Sequence, residues 1–116
     1  MSRQAAEKRG RKGEGFAALW LRLHGWRILA RRVKTARGEI DLVARRGRTV
    51  VFVEVKWRAT SAELDLSIDA WRLRRVAAAV EAVAHRYLRK GDSPRIDVLM
   101  LAPGCWPRHI VNAWQP

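Results

Sequence analysis

The chain has 116 residues, enough for one domain around a single core, and 48% of them are apolar, which excludes a disordered polar tail. Its 24 basic residues outnumber 11 acidic ones for a net charge of +13, so the expected partner is a polyanion, nucleic acid before any other. There is no uncharged apolar run of membrane-spanning length and no signal-peptide core, so no membrane association and a cytoplasmic location are expected; the lone Cys105 excludes an internal disulfide, and without a CxxC pair a structural zinc site is not expected.

Residues 1–12 carry Arg3, Lys8, Arg9, Arg11 and Lys12 with little to pack, and are expected to form a basic flexible arm ahead of a single domain over 13–116. Phe16, Leu19, Trp20 and Leu23 then recur at i, i+3, i+4 and i+7, which predicts a helix with these residues buried and Gly25 as its stop. Glu14, Ala17, Ala18 and Leu21 make a second line of smaller residues. That line lets Glu14 look along a closely packed side of the helix. Trp26–Ala30 reads as a first strand, 38–44 as a second and 49–57 as a third, with Arg45-Arg46-Gly47-Arg48 as the turn between the last two. Asp65 and Ser67 are candidate N-caps for a helix over 68–89, whose apolar stripe is Leu73, Val76, Val80, Val83 and Tyr87, with Arg72, Arg75 and Arg86 off it. Gly91 and Pro94 close it. Ile96–Leu101 is a fourth strand and His109–Val111 a short fifth. The order α-β-β-β-α-β(-β) predicts a small α/β domain with a mixed sheet.

Three carboxylates and a lysine interrupt the two most apolar strands. Side chains alternate along a strand, so Glu39, Asp41 and Val43 share one face, as do Val50, Phe52, Glu54 and Lys56. A hairpin turning at Arg46-Gly47 pairs Ala44 with Thr49, Asp41 with Phe52 and Glu39 with Glu54. It projects both sets of charges from one side and leaves Asp41 and Glu54 diagonal neighbours, roughly 7 Å apart. The other face is filled by Ile40, Leu42, Val51, Val53 and Val55. A solvated strand face is the plain alternative, but apolar flanks on both sides argue against it. Neighbouring acids in such a place need a cation, and a hard divalent ion, Mg²⁺ or Mn²⁺, takes oxygen ligands and keeps waters for chemistry. The expected ligands are Asp41 and Glu54, with the carbonyl of Val55 as a further one, while Lys56 orients a water or steadies charge growing on a phosphate. Glu39 reads equally as a ligand, as support for one, or as the exposed start of a strand. Glu14 reads from its position alone as a helix-dipole partner.

At these residues the chain resembles the restriction-endonuclease-like nucleases, whose P-D…(D/E)-x-K signature here reads Ile40-Asp41, twelve intervening residues, then Glu54-Val55-Lys56, with isoleucine in place of the usual proline. More narrowly, Gly38–Ala44 with Val51–Lys56 resembles the YraN-like family of small bacterial proteins. Further matches are Gly25–Leu29, Arg95–Val98 and His109–Trp114, so the resemblance covers about 10–114. It implies an αβββαβ core shared with archaeal-type Holliday junction resolvases. It also implies Asp41 and Glu54 as Mg²⁺ ligands, Lys56 as the residue assisting the attacking water, and Glu14 on the first helix completing the site. Trp57 departs from the small polar residue usual after the lysine. On the opposite face from Lys56, it is expected to alter packing; stacking on a base is the alternative.

His24, His85 and His109 have no ligand spacing. Asp97 reads as an arginine partner or as a group orienting Lys56. Cys105 has no nearby base and is not read as a nucleophile. Trp106 and Trp114 are candidates to cover a partner surface, and no phosphate-binding glycine loop occurs. The expected function is a Mg²⁺-dependent endonuclease acting on DNA, with branched or recombination intermediates as candidate substrates. Arg72, Arg75, Arg11 and Lys12 would hold phosphates, and a homodimer would match a two-fold junction. The alternatives are a non-catalytic nucleic-acid-binding module on a nuclease scaffold and a ribosome-associated structural protein.

Overall fold

The computed structural model describes the backbone of residues 3–57 and 70–114 and the side chains of that set from Gly13 onward. The expected caps Asp65 and Ser67 lie outside these residues. Helix α1 (Arg3–Leu23) is followed by strands β1 (Arg27–Thr35), β2 (Gly38–Arg46) and β3 (Thr49–Trp57), helix α2 (Ala70–Tyr87), and strands β4 (Ser93–Leu101) and β5 (Arg108–Ile110). The strands form one sheet in the order β1-β2-β3-β4-β5. All neighbours are antiparallel except β3 and β4, which run parallel and are bridged by the α2 crossover. This is the α/β domain with a mixed sheet that the element order predicts. No described helix is long and apolar enough to cross a membrane.

Helix α1 starts at Arg3, so residues 3–12 of the segment set apart as a basic arm are helical and continuous with the first predicted helix. It ends in a Schellman motif. Gly25 takes φ +87°, its N–H donates to the Arg22 carbonyl, and the Trp26 N–H donates to the Leu21 carbonyl, with Leu21 and Trp26 in one apolar cluster.

The buried face of α1 is not the expected one. Ala17, Ala18 and Leu21 are fully buried, whereas Phe16, Leu19 and Leu23 are 49%, 51% and 74% exposed. Small side chains let the helix backbone lie close to the sheet: a Cβ on Gly13 would sit 3.7 Å from the Trp57 ring. The large residues, which hydrophobicity alone selects as core, therefore point outward. With Trp20, Pro107 and the 85%-exposed Trp106 they line an apolar groove of about 360 Å³.

The two sheet faces carry separate cores. Ala17, Ala18 and Leu21 of α1 pack on Leu42, Ala44, Val51, Val53, Leu99 and Leu101. Leu73, Val76, Ala79, Val80 and Val83 of α2 pack on Ile40, Val43, Val50, Phe52, Ile96 and Val98, so the predicted stripe of this helix is the buried one. Trp57 packs with the α1-side core and Trp114 with the α2-side core. Ile40 was expected beside Leu42, yet it joins the α2-side core, so the backbone departs from simple alternation at Asp41.

The β2–β3 register also differs from expectation. Arg46 pairs with Thr49, Arg45 with Val50, Ala44 with Val51, Val43 with Phe52 and Leu42 with Val53, two residues away from the predicted pairing of Ala44 with Thr49, Asp41 with Phe52 and Glu39 with Glu54. The turn is Gly47-Arg48 rather than Arg46-Gly47. Gly47 takes φ +61° and Arg48 does not, which is the two-residue hairpin with glycine at its first central position. An even shift preserves which face each side chain occupies, so the acids still share one side. Strand β1 is an edge strand with Arg31, Arg32 and Lys34 along it, and a bulge between Ile28 and Ala30 interrupts its pairing; both features discourage edge-to-edge association.

Candidate active site

Pairing between β2 and β3 stops at Leu42–Val53, and Asp41 and Glu54 stand immediately beyond it. Here the backbone N–H of Val55 donates to Oδ2 of Asp41 at 2.7 Å instead of to a strand carbonyl. One oxygen of Asp41 is thus fixed by the protein. Glu54 is arranged alike. Its side chain is 5% exposed, Oε1 is ion-paired with Nε of Arg72 at 3.1 Å, and Oε2 is buried with no hydrogen-bond partner. A buried, unpartnered carboxylate oxygen costs free energy unless a cation takes it. Burial pushes the Asp41 carboxyl up from its ordinary 3.8 to about 6; the Val55 N–H opposes this, and the charges of Glu14, Glu54 and Glu39 add to it.

Asp41, Glu54 and Glu39 line a cavity of about 310 Å³ whose opposite wall comes from Trp71, Arg72, Arg75 and Val76 at the start of α2. Gly38 makes this apposition possible. A Cβ there would stand 2.9 Å from the Arg75 carbonyl oxygen, so only glycine lets the first turns of α2 lie against the start of β2. Glu39 is exposed and faces Lys34 across the β1–β2 ladder. Lys56, two residues beyond Glu54 on the same strand, is buried at 4% exposure but is not in the cavity lining.

Glu14 reaches the site from α1. Its charge acts on Asp41, but its Oε2 accepts a 2.6 Å hydrogen bond from Nε of Arg32 and it does not line the cavity. Glu14, expected to complete the site, thus stands near Asp41 with one oxygen held by Arg32, much as Arg72 holds one oxygen of Glu54. Among the described residues no group of three or more His, Cys, Asp or Glu side chains is close enough to hold a metal ion. The donor set is the carboxylate pair, with Oε2 of Glu54 left unpartnered, which suits an ion that keeps most of its ligands as water. Arg72 and Arg75 do stand at the site; the side chains of Arg11 and Lys12 lie outside the described set.

Two participants had escaped the sequence reading. Arg32 lies between the Arg31–Leu42 and Val33–Ile40 pairs and adopts φ +52°, a left-handed conformation costly to a non-glycine residue. Glu14, Asp41 and Glu39 all raise the basicity of its guanidinium, Glu14 most. A doubled arginine at 31–32 was the available signal, but nothing local specifies its backbone twist. Trp71 was not singled out either. It is 55% exposed at the cavity wall, with the Arg75 guanidinium 5.1 Å from its ring centroid.

Asp97 is fully buried and saturated. Arg95 grips both of its oxygens at 2.9 Å, Nε2 of His109 lies 2.7 Å from Oδ2, and the Asn112 N–H donates to Oδ1 at 2.9 Å. Burial raises its carboxyl, but the bonds from His109, Arg95 and Asn112 outweigh that and hold it below the ordinary value. Of its two predicted roles, arginine pairing is the one observed.

A model of the family described as "Uncharacterised protein family UPF0102" matches residues 13–101. A "UPF0102 protein" of Erythrobacter litoralis is 68% identical over 116 residues, and one of Sphingopyxis alaskensis is 62% identical over 116, both covering 100% of each chain. One of Methylorubrum extorquens is 48% identical over 114 residues, covering 97% of this chain and 89% of the relative. Among solved structures the chain is similar to Hjc of Archaeoglobus fulgidus, a Holliday junction resolvase, with a TM-score of 0.63 and 21% identity over 89% of this chain and 72% of that one. The likeness to Hjc is one of fold.

Proposed function

Because the chain belongs to the UPF0102 (YraN-like) family and has the fold of a Holliday junction resolvase, we propose that it is a divalent-metal-dependent endonuclease acting on DNA. The observation that carries this reading is the half-satisfied carboxylate pair. Asp41 and Glu54 each have one oxygen fixed by the protein, the other oxygen of Glu54 is buried without a partner, and two arginines stand across the cavity. Asp41 and Glu54 would hold the ion, Mg²⁺ or Mn²⁺. When bound, the metal supplies a water of lowered pKa and Lewis-acid stabilisation of the phosphate. Val55 positions Asp41 through its N–H, and its carbonyl is a further proposed ligand. Arg75 and the remaining N–H groups of Arg72 bind backbone phosphates, and Lys56 offsets negative charge as the phosphodiester is attacked. Glu39 and Lys34 form the outer rim, and Glu14 with Arg32 sets the local field. A homodimer, giving two cuts on a two-fold branched substrate, belongs to the same proposal and is checked by light scattering.

The test is cleavage of branched, nicked and single-stranded DNA with Mg²⁺ or Mn²⁺ by wild type, Asp41→Asn and Glu54→Gln, alongside calorimetric titration of Mn²⁺ into each. Loss of both Mn²⁺ binding and cleavage in the variants is expected. Salt-sensitive DNA binding with no metal uptake and no turnover in wild type would favour the non-catalytic module instead.

A further inference from the structure

The wall facing the carboxylates has an aromatic part that phosphate binding does not require. Trp71 lies in the first turn of α2, one residue before Arg72, so helical geometry directs it and Arg75 to the same flank. Both line the cavity with Glu39, Asp41 and Glu54. The Arg75 guanidinium covers part of the indole at 5.1 Å from the ring centroid, yet Trp71 remains 55% exposed. Among the described residues of α2, Trp71 is the large apolar side chain left exposed, because the stripe of Leu73, Val76, Val80 and Val83 is buried. An exposed indole paired with an arginine, beside an acidic pair, in a chain of net charge +13, is the arrangement with which proteins hold unpaired bases.

We propose that Trp71, backed by Arg75, is a stacking platform for an unpaired nucleobase next to the phosphate that Arg72 and Arg75 hold across the cavity from Asp41 and Glu54, so that the site selects DNA with an unstacked nucleotide over continuous duplex. The proposal rests on the nuclease reading for the identity of that phosphate and adds the feature of the substrate that is recognised. A base inside a continuous duplex has both faces occupied by its neighbours. A base at a flap, gap or single-stranded tract offers a free face without the cost of unstacking. Arg75 then has two tasks: it fixes the indole through its π face and directs its remaining N–H groups to the flanking phosphate.

The experiment measures binding by fluorescence anisotropy in EDTA at fixed ionic strength, so that it does not depend on cleavage. The probes are a labelled 12-nucleotide single strand, the same strand with abasic linkers in place of nucleosides, and the corresponding blunt duplex. The proteins are wild type, Trp71→Ala, Trp71→Leu and Trp71→Phe, each checked for native far-UV circular dichroism. Trp71→Ala and Trp71→Leu are expected to weaken the base-bearing strand by about 5- to 100-fold and to change the abasic strand and the duplex by less than about twofold. Trp71→Phe, which keeps a π face, is expected to recover most of the loss. Equal losses on base-bearing and abasic strands, or full affinity in Trp71→Leu, would overturn the platform. Leucine keeps apolar bulk, so a purely packing role for Trp71 would be revealed by Trp71→Leu behaving as wild type. The nuclease reading fails separately, through cleavage that survives Asp41→Asn.

Discussion

Asp41→Asn should abolish metal binding and yet make the metal-free protein more stable. The wild-type carboxyl titrates near 6 in the folded chain against an ordinary 3.8, chiefly because it is buried, with Glu14, Glu54 and Glu39 adding repulsion. A carboxyl raised in this way favours the fold fully below pH 3.8, and that favour is lost as pH rises through about 6. At about 1.4 kcal/mol per pH unit, the ionised carboxylate costs the neutral-pH fold about 3 kcal/mol. Solvent in the open cavity screens part of this, so about half is the smallest effect expected. Asparagine keeps an oxygen for the Val55 N–H, which Asp41 engages at 2.7 Å, and removes the charge. At about 4 °C per kcal/mol for a domain of this size, Asp41→Asn should melt about 5–12 °C above wild type at pH 8 in EDTA. The gap should close on acidification and vanish near pH 4. Millimolar Mg²⁺ should then raise the Tm of wild type and leave that of Asp41→Asn unmoved. Thermal melts from pH 4 to 8, with and without Mg²⁺, decide the matter. A variant less stable than wild type at pH 8, or a difference independent of pH, would refute the view that Asp41 is a strained ligand awaiting a cation.

Lys56→Ala should lower the cleavage rate by about a hundredfold or more while leaving the Mn²⁺ affinity within about threefold, because the lysine is assigned to the reacting phosphate and not to the ion; parallel loss of both would make it part of the metal site. Gly38→Ala places a Cβ 2.9 Å from the Arg75 carbonyl oxygen, so it should cost about 1–3 kcal/mol in a chemical denaturation curve and weaken DNA binding by displacing Arg72 and Arg75; an unchanged midpoint and affinity would show that α2 does not depend on that glycine. Asp97→Asn strands Arg95 and His109 in a buried setting and should cost about 3 kcal/mol above pH 5, with the penalty shrinking in acid, since a carboxyl held below its ordinary value stabilises the fold only while ionised. Its sign against pH is thus opposite to that of Asp41→Asn, and the two melts can be run side by side.

Most of the scaffold was legible because its signals are local and repeat. The stripe from Leu73 to Val83, the alternation along β3 and the Gly25 stop each need only a few consecutive residues to be read. What escaped was set by tertiary contact. Phe16, Leu19 and Leu23 have the right spacing for a core, but the sheet took the Gly13–Ala17–Ala18–Leu21 side because small residues permit the closer approach. The hairpin turn lies one residue later than expected and moved the register by two. The acids stayed together because an even slip keeps Asp41 and Glu54 on one face, although Ile40 changed sides. Glu14 was placed near the acids correctly, but its ownership by Arg32 was not foreseeable. That contact depends on a left-handed residue within an otherwise extended strand.

Two short segments show why acids in strands must be judged by their partners. Ile40-Asp41-Leu42-Val43 and Ile96-Asp97-Val98-Leu99 are near copies, each setting one aspartate among branched apolar residues. Around Asp97 the chain returns Arg95, His109 and Asn112, so every lone-pair direction finds a donor and the charge is held as structure. Around Asp41 it returns the Val55 N–H, three further acids and an Arg32 engaged chiefly by Glu14, and the neighbouring Glu54 keeps a buried oxygen with no donor. Both aspartates are deeply set, and the first raises its affinity for a proton while the second lowers it. Burial cannot separate them, since it acts in the same direction on both. The difference lies in what engages each carboxylate: at Asp97 the bonds from His109, Arg95 and Asn112 outweigh burial, whereas at Asp41 the Val55 N–H does not outweigh burial and the charges of Glu14, Glu54 and Glu39. Setting Asp41 among three acids, beside a Glu54 oxygen that has no donor, is therefore a specific arrangement of the fold, and a divalent cation would meet the requirement it creates.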